Sequence, residues 1–133
     1  MSKTKTGANA QFTSAGKGLT VIGKHAYAYS GILNVDNNLT TMLEFQTGKE
    51  YIVAKSQPFY HQTGDSDNFK YIWLFNGIEV QSVQLTHAVD YTPYDEIHLI
   101  IPPLTLVEVK ASNVSSGGAR DIGVTLVGEI HNG

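Results

Sequence analysis

Histidine is the residue type in this sequence best suited to bind a metal ion, because a neutral imidazole is a common metal ligand. The five histidines are His25, His61, His87, His98 and His131, and no two have an H-x-H or H-x-x-x-H spacing. A metal site on β-strands needs histidines and a carboxylate clustered on neighbouring strands. Distant histidines could converge in the fold, but the spacing itself predicts no metal site and no metal cofactor.

A second candidate for metal binding is the polar stretch with Asp65, Asp67 and Asn68. Its alternating oxygen ligands resemble the start of a calcium-binding loop. A complete loop also needs a glycine at its sixth position and a bidentate glutamate at its end, and neither follows here. A solvated turn is the better interpretation of these residues.

The remaining chemistry-bearing residues have no catalytic pattern. No serine lies in a G-x-S-x-G elbow, and Gly117-Gly118 precedes a predicted strand, whereas a phosphate-binding loop opens a helix. Carboxylates that alternate with apolar neighbours on strands are typical of a solvent face. The carboxylates considered are Glu44, Glu79, Asp95, Glu96, Glu108 and Glu129. The sequence therefore predicts no catalytic residues and a protein that is not an enzyme.

Composition narrows the partners and the compartment. The chain has 133 residues and no cysteine, which excludes disulfides, thiolate metal sites and thiol nucleophiles. It has no apolar run of about 18 residues and no secretory signal at its N-terminus, so we expect no membrane span and synthesis in a cytoplasm. A net charge of −3 with 16% charged residues gives no basic field for nucleic acid.

Strands must position these residues, because Tyr, Val, Ile and Thr abound and no helical stripe is present. The clearest signal is a predicted hairpin in which Phe69, Tyr71, Trp73 and Phe75 share one face before the turn Asn76-Gly77. Asn-Gly favours the type I′ turn, which needs positive φ at both central residues. This aromatic face is expected to form a large share of the core.

A second hairpin is predicted around residues 36–38. Tyr27, Tyr29, Leu33 and Val35 alternate with smaller residues before this Asp-Asn-Asn turn, and the alternation resumes from residue 41 to residue 45. Asp and Asn tolerate the backbone angles of tight turns.

The whole pattern predicts an all-β fold. A short strand is expected within residues 19–23, eight strands follow from Ala26 onward, and Gly128 is a possible bulge. The count fits an eight-stranded antiparallel jelly-roll β-sandwich, although periodicity does not give the strand order. We expect a single domain over residues 19–133.

Residues 1–18 are predicted to form a flexible N-terminal arm. They contain Lys3, Lys5 and Lys17, no acidic residue, and Phe12 as the one bulky apolar side chain. Such a segment cannot bury enough apolar surface to offset its chain entropy. It is either a frayed terminus or an arm that becomes ordered on a partner.

Three tyrosines in or beside predicted loops are candidate ligand contacts. Tyr60, Tyr91 and Tyr94 could stack on sugar rings, or Tyr91 and Tyr94 could cap the open end of the sandwich or pack on a neighbouring subunit. Both alternatives remain open at this point, because aromatic rings serve any kind of interface.

Three stretches together carry a family resemblance: YAYSGILNVDNNLTTMLEF (27–45), NFKYIWLFNGIEVQ (68–81) and HLIIPPLTLVEVKASNVSSG (98–117), followed by the strand DIGVTLVGEI. They resemble small β-sandwich capsid decoration, or cement, proteins of tailed bacteriophages. The resemblance covers about residues 26–131 and does not include the arm.

The resemblance implies a virion protein on the capsid surface, made in the host cytoplasm, that forms a homotrimer and binds the major capsid protein. In that setting the expected capsid or subunit interface comprises Lys3, Lys5, Phe12, Lys17, Tyr91 and Tyr94. One alternative is a carbohydrate-binding or host-surface-binding module of a phage tail or fibre. Another is a metalloenzyme of the cupin type, which would require bound metal.

Overall fold

The computed structural model describes residues 11–12, 18–60, 68–86, 96–114 and 119–132. These residues form eleven β-strands and no helix, so the all-β prediction is confirmed. The strands are β1 (Gln11–Phe12), β2 (Thr20–Ile22), β3 (His25–Tyr29), β4 (Leu33–Val35), β5 (Thr40–Gln46), β6 (Tyr51–Tyr60), β7 (Asn68–Phe75), β8 (Ile78–Thr86), β9 (Ile97–Ile101), β10 (Leu106–Asn113) and β11 (Arg120–His131).

The strands form two antiparallel sheets. Sheet A has the order β1-β5-β10-β7-β8, and sheet B has the order β2-β3-β11-β6-β9, with β4 also paired to β11. The predicted count of eight strands from Ala26 onward is not confirmed, because nine strands, β3 to β11, occupy this part of the chain. Gly31, at a φ of 70°, lies between β3 and β4, and the short strands β1 and β2 precede them. Glycine adopts such a left-handed backbone without a steric penalty, which allows the chain to bend there.

The predicted hairpin around residues 36–38 is also wrong. β4 pairs with β11 in sheet B, whereas β5 pairs with β10 in sheet A, so the turn carries the chain between sheets. The Asp36 carboxylate accepts a 2.9 Å hydrogen bond from the Asn38 N–H, and the Asp36 carbonyl accepts one of 2.8 Å from the Asn113 N–H. A turn signal identifies a reversal of the chain but not the sheet in which the next strand pairs.

The hairpin of β7 and β8 is confirmed. Asn76 and Gly77 have φ values of 53° and 82°, as a type I′ turn requires. The Asn76 side chain does more than allow the turn, because its Oδ1 accepts a 2.8 Å hydrogen bond from the Leu106 N–H. The turn is thereby attached to the start of β10.

The aromatic face of β7 lies in the core between the sheets. Phe69, Tyr71 and Trp73 are fully buried, and Phe75 is partly buried against the same cluster. The Tyr71 hydroxyl donates a 3.1 Å hydrogen bond to the Gly123 carbonyl on β11, so this face of sheet A is held against sheet B.

Small residues line the inner side of sheet B. Gly128 on β11 pairs with Ala26 on β3 and Ala54 on β6 in one continuous register. The suggested bulge at Gly128 is therefore wrong. A Cβ at this position would lie 2.7 Å from Ile52 Cγ2 and 2.8 Å from the Val53 carbonyl oxygen, so the packing leaves no room for a side chain.

Candidate functional site

The solvent side of sheet B exposes several large apolar side chains. We call it the outer face and define it by the side chains of Ile22, His25, Tyr27, Tyr29, Val53, Lys55, His98, Ile100, Val127 and Glu129. They come from β2, β3, β11, β6 and β9, so the face extends across five neighbouring strands.

The strand register arranges the outer face in two rows. In the first row, neighbours across the sheet are Ile22, His25, Glu129, Val53 and Ile100. In the second row they are Thr20, Tyr27, Val127, Lys55 and His98. Directly opposed side chains in antiparallel strands lie about 4.5–5.5 Å apart at Cβ, so each row is a contiguous strip of surface.

Five large apolar or aromatic side chains of the outer face are exposed to solvent. Their exposed fractions range from 36% for Val127 to 67% for Ile100, and Ile22, Tyr29 and Val53 lie between these values. Single exposed apolar residues are common, but a contiguous group marks an interaction site. The outer face is therefore suited to pack against another macromolecule.

Aromatic and charged side chains complete the face. The rings of Tyr27 and Tyr29 lie 6.1 Å apart between centroids. A shallow hollow is lined by Val53, Ile100 and Val127 together with Lys55, His98 and other members of the face. The mixed polar and apolar lining resembles a protein interface more than a deep ligand cavity.

The end of the outer face has an ordered polar group. His131 Nε2 lies 3.1 Å from Glu129 Oε1, and the His131 ring stacks on Tyr51 with centroids 5.3 Å apart. The Glu129 carboxylate thus lies beside His131, and Glu129 also faces His25 across the strands.

A second exposed apolar surface lies on β8, the last strand of sheet A. We call it the β8 edge and define it by Ile78, Glu79 and Val80. Ile78 is 68% exposed and Val80 is 44% exposed. The register shift between Trp73 and Leu74 leaves Val80 without a partner on β7. β8 contains no lysine or proline, the residues that commonly protect an edge strand from pairing.

The solvent side of sheet A is different, because charged and polar side chains dominate it. Glu44 faces Glu108 across β5 and β10, and Lys110 Nζ lies 3.8 Å from Glu108 Oε2. A polar surface of this kind is stable in contact with water, so it does not indicate a site that another protein covers.

Most predicted site residues lie outside the residues that the structure describes. This applies to Lys3, Lys5, Lys17, Tyr91 and Tyr94. The backbone of Phe12 is described and pairs with Phe45, and that of Tyr60 pairs with Ile122. Their proposed roles stay predictions.

The metal candidates are only partly described. His25 and His98 lie on the outer face, whereas His61, His87 and the stretch with Asp65 are outside the described residues. Across the described ranges, no group of three histidine, aspartate or glutamate side chains is arranged to hold a metal ion.

Sequence reasoning missed the outer face because it followed the large side chains of residues 27–35. Val35 is buried as the alternation suggests, but Tyr27 and Tyr29 point outward, and Ala26 and Ala28 occupy the core. The alternation changes sides at the bend between β3 and β4. The sequence features that indicate this change of sides are Gly31 at the bend and the small core residues Ala26 and Ala28.

Comparison of the sequence with protein-family models and with curated proteins found no match. The part of the chain that the structure describes contains no helix long and apolar enough to cross a membrane.

Proposed function

We propose that this chain is a non-enzymatic structural protein of a virion, a phage capsid decoration protein that forms a homotrimer and binds the major capsid protein. The observation that carries the proposal is the exposed apolar outer face of sheet B. A face of this kind loses contact with water when it packs against protein, and that burial drives association.

The strand order supports the jelly-roll part of the proposal. With β3 and β4 counted as one interrupted strand, the orders are β3/β4-β11-β6-β9 in sheet B and β5-β10-β7-β8 in sheet A. From β3/β4 onward, successive strands alternate between the sheets except at the β7–β8 hairpin, in the way that two nested Greek keys produce. β1 and β2 are then additions at the sheet edges. This is the fold that the resemblance to capsid decoration proteins implies.

The size of the outer face supports association through it. The strands β2, β3, β11, β6 and β9 have 3, 5, 12, 10 and 5 residues, so spacings of about 4.8 Å between strands and about 3.3 Å per residue give a sheet face of roughly 550 Å². A specific interface buries more than about 500 Å² on each partner. A partner that covers the whole face therefore reaches the size of a specific interface.

Co-sedimentation with capsids tests the proposal. Capsids of the encoding virus, assembled without this protein, are mixed with the purified chain and separated on a density gradient. We expect the chain to migrate with the capsids at a fixed stoichiometry in multiples of three and to raise their resistance to heat. A chain that stays at the top of the gradient would overturn the capsid assignment.

The Tyr27–Tyr29 pair favours a second candidate function, a carbohydrate-binding or host-surface-binding module of a tail or fibre. Exposed aromatic rings on a flat face can stack on sugar rings. A glycan array with the native chain and with Tyr29→Ala tests this candidate. A glycan that binds the native chain and loses affinity with the substitution would support it, and an array without binding would remove it.

A further inference from the structure

We propose that self-association is edge to face: the β8 edge of one copy docks on the outer face of sheet B of the next copy. This inference rests on the self-association in the proposed function and names the two surfaces that meet.

The β8 edge has the features of a protrusion that a partner covers. Ile78 and Val80 expose large apolar side chains, and among the strands that the structure describes the backbone of β8 pairs only with β7. An exposed apolar edge strand without lysine or proline tends to associate with another chain. Glu79 is the one charged residue in the strand, so its charge must be matched at the interface.

The outer face offers matching chemistry to this edge. Its hollow presents Val53, Ile100 and Val127 to apolar side chains. Lys55 and His98 face each other across β6 and β9 beside these residues, and they provide hydrogen-bond donors for a carboxylate such as Glu79. A second copy of this chain therefore supplies both the apolar side chains and the carboxylate that the outer face can accept.

The β8 edge and the outer face lie on adjoining sides of the sandwich. Trp73 on β7 contacts Ser56 on β6, so β7 lies over β6, and the next strands outward, β8 and β9, form one flank of the sandwich. The edge and the face are different surfaces of one chain, so the contact between copies is heterologous. Contacts of this kind form a closed ring when the rotation from one copy to the next returns to the first copy, which for the proposed trimer happens after three copies.

Two variants, each with one of the two surfaces damaged, test this arrangement. Val80→Arg damages only the edge, and Val127→Arg damages only the face; both positions are exposed, so the fold should tolerate arginine. We expect each variant alone to weaken self-association at least about tenfold and to be monomeric at concentrations where the native chain is a trimer. Leu39→Arg, at an exposed position outside both surfaces, is the matched control and should keep the native mass.

Mixing the two variants gives the decisive result. The intact edge of Val127→Arg can dock on the intact face of Val80→Arg, so light scattering of the mixture should show a heterodimer with the mass of two copies. A mixture that stays monomeric, or a Val80→Arg variant that keeps the native mass, would overturn the edge-to-face contact while the native trimer still supports the proposed function. A native chain that is monomeric at every concentration would instead overturn the proposed self-association itself.

A charge exchange gives an independent readout of the same contact. Glu79→Lys and Lys55→Glu should each weaken association, and the chain with both substitutions should recover most of it, because opposite charges again face each other. If the double variant loses as much association free energy as the two single variants together, the result would contradict a Glu79–Lys55 contact between copies. Circular dichroism of each variant verifies that the fold is retained.

Discussion

Trp73 Nε1 donates a 3.0 Å hydrogen bond to Ser56 Oγ, and this contact joins sheet A to sheet B inside the core. The Ser56 hydroxyl in turn donates a 2.8 Å hydrogen bond to the Thr125 carbonyl on β11. Trp73 and Ser56 are both fully buried. The indole N–H therefore has a hydrogen-bond acceptor inside a core that excludes water. The same contact joins sheet B, which carries the outer face, to sheet A.

Ser56→Ala tests the importance of this contact for stability. The substitution leaves the buried Trp73 N–H without its acceptor, and we expect the free energy of unfolding to fall by about 1–3 kcal/mol. Urea denaturation at one fixed protein concentration measures the change, since association shifts apparent stability. Ser82→Ala, at an exposed position on β8, is the control and should be within about 0.5 kcal/mol of the native chain. Equal effects of both substitutions would contradict the account.

Gly128→Ala tests the tight packing of sheet B. The new methyl group would meet Ile52 and the backbone of β6 at less than ordinary contact distance, so the strands must separate. We expect a loss of about 1–3 kcal/mol in the free energy of unfolding, as for other overpacked interiors. Asn132→Ala, in the exposed segment after β11, is the control. A Gly128→Ala variant as stable as the native chain would contradict the conclusion that the packing leaves no room for a side chain at this position.

Gly77→Ala separates backbone strain from lack of space. Nothing lies within 4 Å of a Cβ at this position, but the φ of 82° is unfavourable for alanine. We expect a loss of about 1–2 kcal/mol from this conformational term alone. Gly77→Asn should lose less, because asparagine adopts left-handed backbone angles more readily. Urea denaturation at one fixed protein concentration compares both variants, and an asparagine variant less stable than the alanine variant would contradict this explanation.

Leu104→Asn is expected to stabilise the protein. Leu104 has a φ of 54° and is 67% exposed, so the residue adopts a left-handed backbone without burying its side chain. Its N–H donates a 2.7 Å hydrogen bond to the Gly48 carbonyl, which holds the loop in this conformation. Asparagine should raise the free energy of unfolding by about 0.5–1 kcal/mol. Leu104→Ala should give no gain, and a gain of equal size with alanine would refute the backbone explanation.

The sequence predicted the local features that short-range chemistry determines. Asn76-Gly77 identified the turn between β7 and β8, and the alternation of Phe69, Tyr71 and Trp73 identified the buried side of β7. Both signals depend on a few adjacent residues. Each was sufficient because a turn or a strand face is determined by the angles and side chains of those residues alone.

Features that depend on distant pairing could not be predicted in this way. The Asp36 turn was read as a hairpin, because nothing within residues 27–45 shows that β4 pairs with β11 and β5 with β10. The outer face was missed for the same reason. Its apolar residues lie on five strands far apart in the chain, and only the register brings Tyr27, Val127 and Lys55 into one row.

The solution mass of the native chain, measured by light scattering over a concentration series, tests the central claim most directly. Association through the outer face predicts a trimer that persists to low concentration, and it predicts dissociation when Val127→Arg places a charge in the middle of that face. A native chain with the mass of one copy at every concentration would contradict the claim that the outer face is a subunit interface.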